Sequence, residues 1–142
     1  MATAFHFHTE VRIRFAETDA QGIAHHAAFL VWFEVGRVEY LERFDGGYPS
    51  LRARGFEALT IEAHARYFAP ARFDDRLSVG IRCVDLRGAR FRFEYDVARE
   101  GESIADGWTG HACVDAATFR PTRVPAYLVH GIEAAERPTA LS

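Results

Sequence analysis

Two different spacings of apolar residues divide this chain into one helical segment and a longer run of strand-like segments. Between Ala27 and Phe44 the apolar residues recur every three or four positions, which is the period of a helix. The large side chains of this stripe are Phe29, Phe33, Tyr40 and Phe44, with Leu30, Val38 and Leu41 beside them. At ~1.5 Å per residue the segment predicts a helix roughly 27 Å long, enough to cross a whole sheet.

Other residues of this segment indicate what surrounds the predicted helix. Trp32 and Val35 widen the apolar stripe, which predicts that the helix is enclosed on most sides. Gly36 lies mid-helix, where glycine costs about 1 kcal/mol relative to alanine, and so indicates the close approach of another backbone. The charged residues leave a narrow face for solvent, formed by Glu34, Arg37, Glu39, Glu42 and Arg43.

The remaining segments alternate between apolar and polar positions, which is the period of a strand. Before the helix, residues 5–15 end with Val11, Ile13 and Phe15 on one face. After the helix, alternation predicts four further strands, over residues 56–71, 75–86, 89–100 and 104–119. The first of these is long or bent, residues 50–54 form a short helical turn, and the tail to residue 142 is a weak peripheral helix.

This order of elements predicts an α+β fold, an antiparallel sheet wrapped around one long central helix. The length of 142 residues fits one domain spanning residues 1–142. A single sheet layer leaves an edge strand and an outer face uncovered, and pairing between copies of the chain would cover them. We therefore expect an oligomer.

Composition and charge indicate a cytoplasmic protein. The net charge of −3 gives no reason to expect nucleic acid or an acidic membrane as a partner. No apolar run approaches the ~20 residues of a membrane span, and the N-terminal residues lack the architecture of a signal peptide. Cys83 and Cys113 lie in strand-like segments without CxxC spacing, so we expect reduced core residues.

Missing residue types narrow the possible chemistry. All 17 basic residues are arginine, which excludes Schiff-base chemistry and a P-loop lysine. None of the serines lies in a GxSxG motif, which argues against a serine hydrolase. Carboxylates, histidines and oriented backbone groups remain for catalysis.

The turn between the first strand and the helix carries the strongest candidate for a catalytic residue. Asp19 lies shortly before the helix N-terminus, where unpaired backbone N–H groups and the helix dipole favour developing negative charge. A carboxylate beside such amides suits acyl transfer, because one group attacks or activates water while the other holds the oxyanion. The alternative is that Asp19 is only a turn or capping residue.

Histidines and a second carboxylate offer further candidates with open roles. His25 and His26 are either acid–base groups or polar first-turn residues that line a cleft. His6 and His8 would share a strand face, but no third metal ligand lies at a characteristic spacing, so no metal is expected. Glu34 lies about two turns into the helix, either on the solvent stripe or reaching into a substrate cavity.

Arginines flank the turns late in the chain, at Arg87, Arg90, Arg120 and Arg123. Arginine suits phosphate because its planar fork binds two oxygens at once. The alternative is that these residues form solvated surface.

Three stretches resemble a known family. The run RFAETDAQGIAHHAAFLVWFE, residues 14–34, resembles the signature of the 4-hydroxybenzoyl-CoA thioesterase-like branch of the hotdog-fold acyl-CoA thioesterases. ARYFAPARFDD, residues 65–75, resembles the second-strand segment of this family, and LRGARF, residues 86–91, its following turn. The similarity covers roughly residues 10–125. The hotdog fold is a sheet wrapped around one long helix, as the alternation predicts.

The resemblance implies roles for individual residues. Asp19 occupies the position of the catalytic aspartate, a nucleophile or general base, and His26 the helix-start position whose N–H polarises the thioester carbonyl. Glu34 falls where an acidic residue meets the ring hydroxyl in the 4-hydroxybenzoyl enzymes. This chain departs from the family at His25, where tyrosine or tryptophan is usual, and at Phe29, where tyrosine is usual. The substrate-binding residues implied are Gly22, His25, Phe29, Glu34, Arg87, Arg90 and Arg120.

We therefore predict a cytoplasmic acyl-CoA thioesterase that hydrolyses a small aromatic or short- or medium-chain acyl-CoA through Asp19. It needs no metal or bound cofactor, coenzyme A being part of the substrate, and it forms a homodimer that assembles to a homotetramer. One alternative is a non-catalytic protein that binds acyl thioesters on the same fold. The other is a hotdog hydratase, which acts on enoyl or 3-hydroxyacyl thioesters.

Overall fold

The computed structural model describes residues 5–137, and these form five strands, three α-helices and a short 3₁₀ turn at Phe15–Glu17. The predicted α+β class with an antiparallel sheet is confirmed. In chain order the elements are β1 (Phe7–Arg12), α1 (Ala28–Glu42), α2 (Tyr48–Ala53), β2 (Phe56–Tyr67), β3 (Arg76–Arg87), β4 (Arg90–Arg99), β5 (Glu102–Asp115) and α3 (Ala126–Glu136).

The strands lie in the order β1–β3–β4–β5–β2, and all neighbouring strands are antiparallel. The turns that join β3, β4 and β5 contain Gly88 and Gly101, with φ angles of 56° and 82° that glycine adopts without steric cost. β2 bends at a register shift between Thr60 and Glu62, so the prediction of a long or bent strand is confirmed. β1 and β2 are the two edges of the sheet.

The inner face of the sheet packs on α1 through aromatic rings. The alternation of β4 buries Phe91, Phe93, Tyr95 and Val97, as predicted. The Phe33 ring of α1 stacks on the Tyr95 ring with their centroids 4.1 Å apart, and Tyr40 meets Phe93 edge to face. These buried rings join helix and sheet through apolar contacts.

α1 differs in part from the predicted central helix. It ends at Glu42 rather than at Phe44. Trp32 is buried, but a face formed by Leu30, Val31 and Val35 is exposed, so the prediction that the helix is enclosed on most sides is wrong along this face. α2 and α3 accompany α1, and Leu128 and Ile132 of α3 extend the core. No helix within residues 5–137 has the length and apolar character that crossing a membrane requires.

Gly36 allows α1 to approach the sheet closely. A Cβ atom at this position would lie 2.7 Å from Cδ1 and 2.8 Å from Cγ1 of Ile81 on β3. The predicted close approach is confirmed, but the neighbour is a side chain rather than another backbone. Gly107 of β5 lies in the same way beneath Phe33, since a Cβ atom there would lie 2.8 Å from the Phe33 ring.

A chain of polar groups runs through the core between α1 and β2. Arg37 is buried, against the prediction of a solvent-facing residue, because its Nη1 donates to the Tyr95 hydroxyl at 3.1 Å. The Tyr95 and Thr109 hydroxyl oxygens are 2.6 Å apart, and Thr109 Oγ1 lies 2.7 Å from His111 Nε2. His111 Nδ1 then lies 3.4 Å from the hydroxyl of Thr60. Buried polar groups require partners of this kind.

Burial shifts the pKa values of several core groups. Burial, together with the charge of Arg37, lowers the pKa of His111 to about 3. Burial raises the pKa of the Cys83 thiol to about 12 and that of the Cys113 thiol to about 11. Both cysteines are free and buried, which confirms that they are reduced core residues.

The first strand ends earlier than alternation predicts. Phe15, predicted to share a core face with Ile13, is 75% exposed, whereas Ile13 is buried. The cause is the 3₁₀ turn, in which the Glu17 carboxylate accepts the Arg14 N–H at 2.7 Å. Local side-chain acceptors of this kind compete with the sheet for backbone donors.

The last strand, β5, also ends early, at Asp115 rather than at residue 119. The Asp115 carboxylate accepts the N–H of Ala117 at 2.9 Å and the N–H of Thr118 at 3.0 Å. These two donors are therefore used in a turn and do not extend the ladder of the sheet.

We expect Gly36→Ala to lower the free energy of unfolding by about 1–2 kcal/mol, because overpacking against the fully buried Ile81 outweighs the ~1 kcal/mol helix preference of alanine. Urea unfolding followed by circular dichroism measures the change. Ile81→Val removes the clashing Cδ1 atom, so Gly36→Ala should cost less in that background. An equal cost in both backgrounds would contradict the contact.

We expect the buried His111 to make stability depend on pH. Its pKa in the folded state lies below the ~6.5 of an exposed histidine, so the unfolded chain binds one more proton between these values. The stability contributed by neutral His111 is present above pH ~6.5 and is lost as the pH falls toward about 3, by up to ~1.4 kcal/mol per pH unit.

Urea unfolding between about pH 4 and pH 7 measures this slope. His111→Gln keeps a polar side chain without a titrating proton and should flatten the slope. His130→Gln on α3 is the matched control, because His130 is exposed and the variant should keep the wild-type slope. The expectation fails if the His111 variant also keeps the wild-type slope.

Candidate functional site

A tight loop between the 3₁₀ turn and α1 carries Asp19. The Asp19 N–H donates to the Ile23 carbonyl at 2.9 Å, and the His25 N–H donates to the Glu17 carbonyl at 2.7 Å. Gly22 closes the loop with a φ of 78°, a left-handed value that favours glycine. These contacts hold residues 17–25 as a narrow antiparallel loop.

The Asp19 carboxylate is half-buried, rather than buried, and its two oxygens differ in their surroundings. One oxygen accepts the Gln21 N–H at 2.8 Å, which is the geometry of an Asx turn. The other has no hydrogen-bond partner within residues 5–137. Asp19 is therefore a turn residue that keeps one carboxylate oxygen available.

Glu17 joins this loop to α1. Its carboxylate accepts the Arg14 N–H and, at 3.0 Å, the indole N–H of Trp32. The Glu17 side chain is only 10% exposed, and the Arg14 guanidinium lies 3.5 Å from it. Hydrogen bonds to a charged acceptor are among the stronger ones in proteins. The position of Asp19 relative to the helix thus depends on Glu17 and Trp32.

The start of α1 leaves one backbone donor unpaired. Ala27, at the N-cap position, has no side-chain acceptor, and its N–H donates to Nδ1 of His25 at 3.0 Å. The Ala28 N–H donates to the His25 carbonyl at 2.9 Å. The His26 N–H, in contrast, has no partner among the residues that the structure describes. Such an amide at a helix start favours negative charge.

A cavity of about 470 Å³ brings the loop, the helix start and the end of β2 together. Its volume lies in the range of sites for small molecules. The Tyr67 hydroxyl donates to the His26 carbonyl at 2.9 Å, and the Tyr67 and Phe29 rings meet edge to face with their centroids 5.0 Å apart. The lining residues are Asp19, Gln21, Ile23, Ala24, His26, Phe29, Tyr67, Phe68, Ala69, Pro70 and Ala71.

Three of the predicted site residues line this cavity, namely Asp19, His26 and Phe29. Gly22 and His25 lie in the same loop but do not line it. The His25 ring stacks on the His26 ring with the centroids 4.3 Å apart. The roles of all these residues in the reaction stay predictions.

The structure does not bring Glu34 to the cavity. Its side chain is 67% exposed, and one carboxylate oxygen lies 3.8 Å from Nη2 of Arg37. Glu34 therefore lies on the solvent stripe of α1, which was one of the two positions predicted for it. Its contact with a substrate stays a prediction.

The predicted phosphate-binding arginines lie at the other end of the sheet from the cavity. Tyr67, in the cavity wall, pairs with Ala105 of β5. Arg90 pairs with Ala112 of the same strand, which at ~3.3 Å per residue is roughly 23 Å away. Arg87, the last residue of β3, and Arg120, which follows the turn after β5, are exposed at this same end. Their role in binding coenzyme A stays a prediction.

The sequence did not identify Glu17, Trp32 and Tyr67 as residues that position the site. A buried indole N–H needs an acceptor, so the carboxylate of Glu17 fifteen residues earlier was a signal of the first contact. Tyr67 lies in the 65–75 segment, which contributes five residues of the cavity wall. Within residues 5–137, no three His, Cys, Asp or Glu side chains are grouped as a metal site.

Comparisons with known proteins identify the family. The family described as Thioesterase-like superfamily matches residues 13–132. A putative esterase of Aquifex aeolicus is 35% identical over 103 residues, which cover 72% of this chain and 80% of that protein. The acyl-CoA thioesterase YbgC of Haemophilus influenzae is 30% identical over 120 residues, 84% of this chain and 88% of that protein.

Solved structures agree with these matches. A thioesterase of Thermus thermophilus, crystallised with coenzyme A and zinc, superimposes with a TM-score of 0.82 and 29% identity. The match covers 95% of this chain and 98% of that one. The family predicted from residues 14–34 and 65–75 is confirmed, and the chain belongs to the thioesterase-like superfamily.

Proposed function

We propose that this member of the thioesterase-like superfamily hydrolyses the thioester of a small aromatic or short- to medium-chain acyl-CoA, using Asp19 and the His26 N–H. The enzyme class, a thioester hydrolase, is confirmed by the names of its relatives. The observation that carries the mechanism is the 470 Å³ cavity, in which Asp19 and His26 are both lining residues.

The His26 amide is the proposed oxyanion donor. Its neighbours, the N–H groups of His25, Ala27 and Ala28, all donate within the protein. The His26 N–H is therefore the donor left over at the helix start among the described residues, and the helix dipole adds to its preference for negative charge. A thioester carbonyl that accepts this N–H would gain stabilisation as its oxygen becomes negative in the transition state.

The available carboxylate oxygen of Asp19 is the proposed nucleophile or general base. As a base it takes a proton from water while the oxygen of that water attacks the thioester carbon. The tetrahedral oxyanion then collapses, the carbon–sulfur bond breaks, and the proton returns to the departing thiolate, giving a carboxylic acid and free thiol. As a nucleophile, the Asp19 carboxylate would attack the thioester carbon and the carbon–sulfur bond would break, giving a mixed anhydride and thiolate. Water would then hydrolyse the anhydride to the carboxylic acid and the free Asp19 carboxylate, and the proton released would go to the thiolate.

The remaining cavity wall suits an apolar acyl group. Phe29, Tyr67 and Phe68 present aromatic surface, and Ile23 and Ala71 add aliphatic surface. The Tyr67 hydroxyl is engaged with the His26 carbonyl, so the ring rather than the hydroxyl faces the acyl group. An aromatic or short aliphatic acyl group fits this chemistry.

Binding of coenzyme A is proposed to require a second subunit. β2 is an edge of the sheet, its residues from Thr60 to His64 are exposed, and Ile61 is 48% exposed. Unpaired edges of this kind favour pairing with another strand. Antiparallel pairing of β2 with its copy would form a two-fold homodimer, which could assemble further to the predicted homotetramer.

Such pairing would bring distant residues to each cavity. Two-fold antiparallel strands run in opposite directions, so the start of one β2 lies beside the end of the other. Arg120 lies beside the end of β5, where its carbonyl accepts the Asp115 N–H, and Asp115 pairs on its other side with Phe56 at the start of β2. Arg120 of the partner subunit would then approach the cavity near Tyr67 and meet the phosphates of coenzyme A.

We expect Asp19→Asn to lower kcat by about 100-fold or more, because it removes the base and nucleophile while preserving the acceptor for the Gln21 N–H. Release of free thiol from a panel of aliphatic and aromatic acyl-CoAs measures the rate. Asp85→Asn is the matched control, since Asp85 is exposed at the far end of β3 and the variant should keep wild-type activity.

Wild-type thiol release by Asp19→Asn would refute the role of this carboxylate. Saturable binding of acyl-CoA without any thiol release by the wild-type protein would instead support a binding protein. Consumption of an enoyl thioester with the thioester intact would support a hydratase.

We expect Arg120→Ala to raise KM for acyl-CoA about tenfold with little change in kcat, because the guanidinium binds the nucleotide end rather than the reacting carbonyl. If Arg120 acts across the interface, mixing this variant with Asp19→Asn and allowing the subunits to exchange restores one intact site per hybrid dimer. At low substrate concentration the mixture should then recover about a quarter of the wild-type activity.

The control is a mixture of the same two variants under conditions that prevent subunit exchange. The activity of this mixture should equal the average of the two separate activities. Size-exclusion chromatography with light scattering confirms that each variant has the mass of a dimer or tetramer of the 16.0 kDa chain. Absence of recovery after proven exchange would show that Arg120 does not serve the partner's cavity.

A further inference from the structure

We propose that His25 is a positioning residue, whose imidazole caps the start of α1 and thereby fixes the direction of the His26 N–H. The inference rests on the proposed function, because it gives His25 a role only if the His26 amide holds the oxyanion. It differs from the family-based expectation, in which position 25 belongs to the wall of the cleft.

The first observation is the cap itself. Ala27 occupies the N-cap position, and alanine cannot accept a hydrogen bond through its side chain. His25 Nδ1 accepts the Ala27 N–H at 3.0 Å, so the proton of this ring lies on Nε2. An acceptor on residue i bonded to the N–H of residue i+2 is the geometry that Asp and Asn use in an Asx turn.

The second observation concerns the peptide that joins His25 and His26. A planar trans peptide points its carbonyl and its N–H in opposite directions. The carbonyl belongs to His25 and accepts the Ala28 N–H at 2.9 Å, from within the first helical turn. The N–H belongs to His26 and therefore points away from that turn, where it has no partner within residues 5–137.

The third observation is that both flanks of this peptide are held. On one side the His25 N–H donates to the Glu17 carbonyl at 2.7 Å. On the other side the His26 carbonyl accepts the Tyr67 hydroxyl at 2.9 Å. His25 thus contributes its N–H, its carbonyl and its ring nitrogen to local hydrogen bonds, all of which orient the N–H of His26.

Three substitutions of His25 separate the cap from other effects. His25→Asn supplies an acceptor at the position of Nδ1, whereas His25→Gln moves the acceptor one bond further from the backbone. His25→Ala removes the acceptor and the ring that stacks on His26. Asn cannot replace that aromatic stacking, so recovery by Asn reports on the cap alone. His25 is exposed, so these changes leave the core intact.

Steady-state thiol release with an acyl-CoA hydrolysed by the wild-type protein gives the first readout. We expect His25→Ala and His25→Gln to lower kcat about tenfold with KM changed by less than about twofold, since a misdirected amide weakens transition-state binding more than ground-state binding. His25→Asn should recover kcat to within about threefold of wild type. Loss of kcat without recovery by Asn overturns the proposal.

Amide hydrogen exchange measured by NMR gives a readout that does not depend on activity. The Ala27 N–H should exchange more slowly in the wild-type protein and in His25→Asn than in His25→Ala and His25→Gln. Equal exchange rates in all four proteins would show that the imidazole is not a cap, and would overturn the proposal whatever the kinetics.

The two proposals fail in different ways. If Asp19→Asn is inactive and His25→Ala keeps the wild-type kcat, the proposed function stands and the positioning role of His25 is overturned. If the wild-type protein releases no thiol from any acyl-CoA of the panel, the proposed function fails and the kinetic part of this proposal fails with it. The exchange measurement then still decides whether His25 caps the helix.

Discussion

The short distance between α1 and the sheet is the constraint on which the remaining structure depends. Gly36 of the helix and Gly107 of β5 leave no room for a side chain at the two closest points, above Ile81 and beneath Phe33. Between these points the Phe33 ring stacks on the Tyr95 ring. A helix of fifteen residues is stiff, so fixing its middle also fixes its N-terminus, where the cavity lies.

Two polar contacts then bring two further segments to that N-terminus. Glu17 binds the Trp32 indole and holds the loop of Asp19 against the helix. Tyr67 binds the His26 carbonyl and holds the end of β2 beside the same helix start. The helix provides the rigid support and the loop provides the reactive group, an arrangement common in enzyme sites. Packing therefore sets the distance between the helix and the sheet, and hydrogen bonds set the geometry of the site.

Periodicity predicted the elements because it reports which positions face the core, but it does not report specific hydrogen bonds, and for this reason it misplaced Arg37 and Phe15. Arg37 looks like a solvent-facing residue of α1 until Tyr95, fifty-eight residues later, supplies a buried acceptor. Phe15 looks like a strand residue until the Glu17 carboxylate captures the Arg14 N–H. The place of Asp19 in a turn before the helix was predictable because that loop is local, whereas the contact of Tyr67 with the helix start requires the fold.

The start of α1 lacks the usual capping side chain, and the proposed reaction offers a reason for this. Most helices begin with Ser, Thr, Asp or Asn, whose side chains satisfy the first amides, but here Ala27 occupies that position. An aspartate cap would place a fixed negative charge beside the amide that is proposed to hold an oxyanion, and like charges repel strongly where water is excluded. A neutral imidazole satisfies the Ala27 N–H without that charge and leaves the His26 N–H unpaired among the described residues. A helix-start amide without a partner among the described residues is an available hydrogen-bond donor, which the proposed reaction would use.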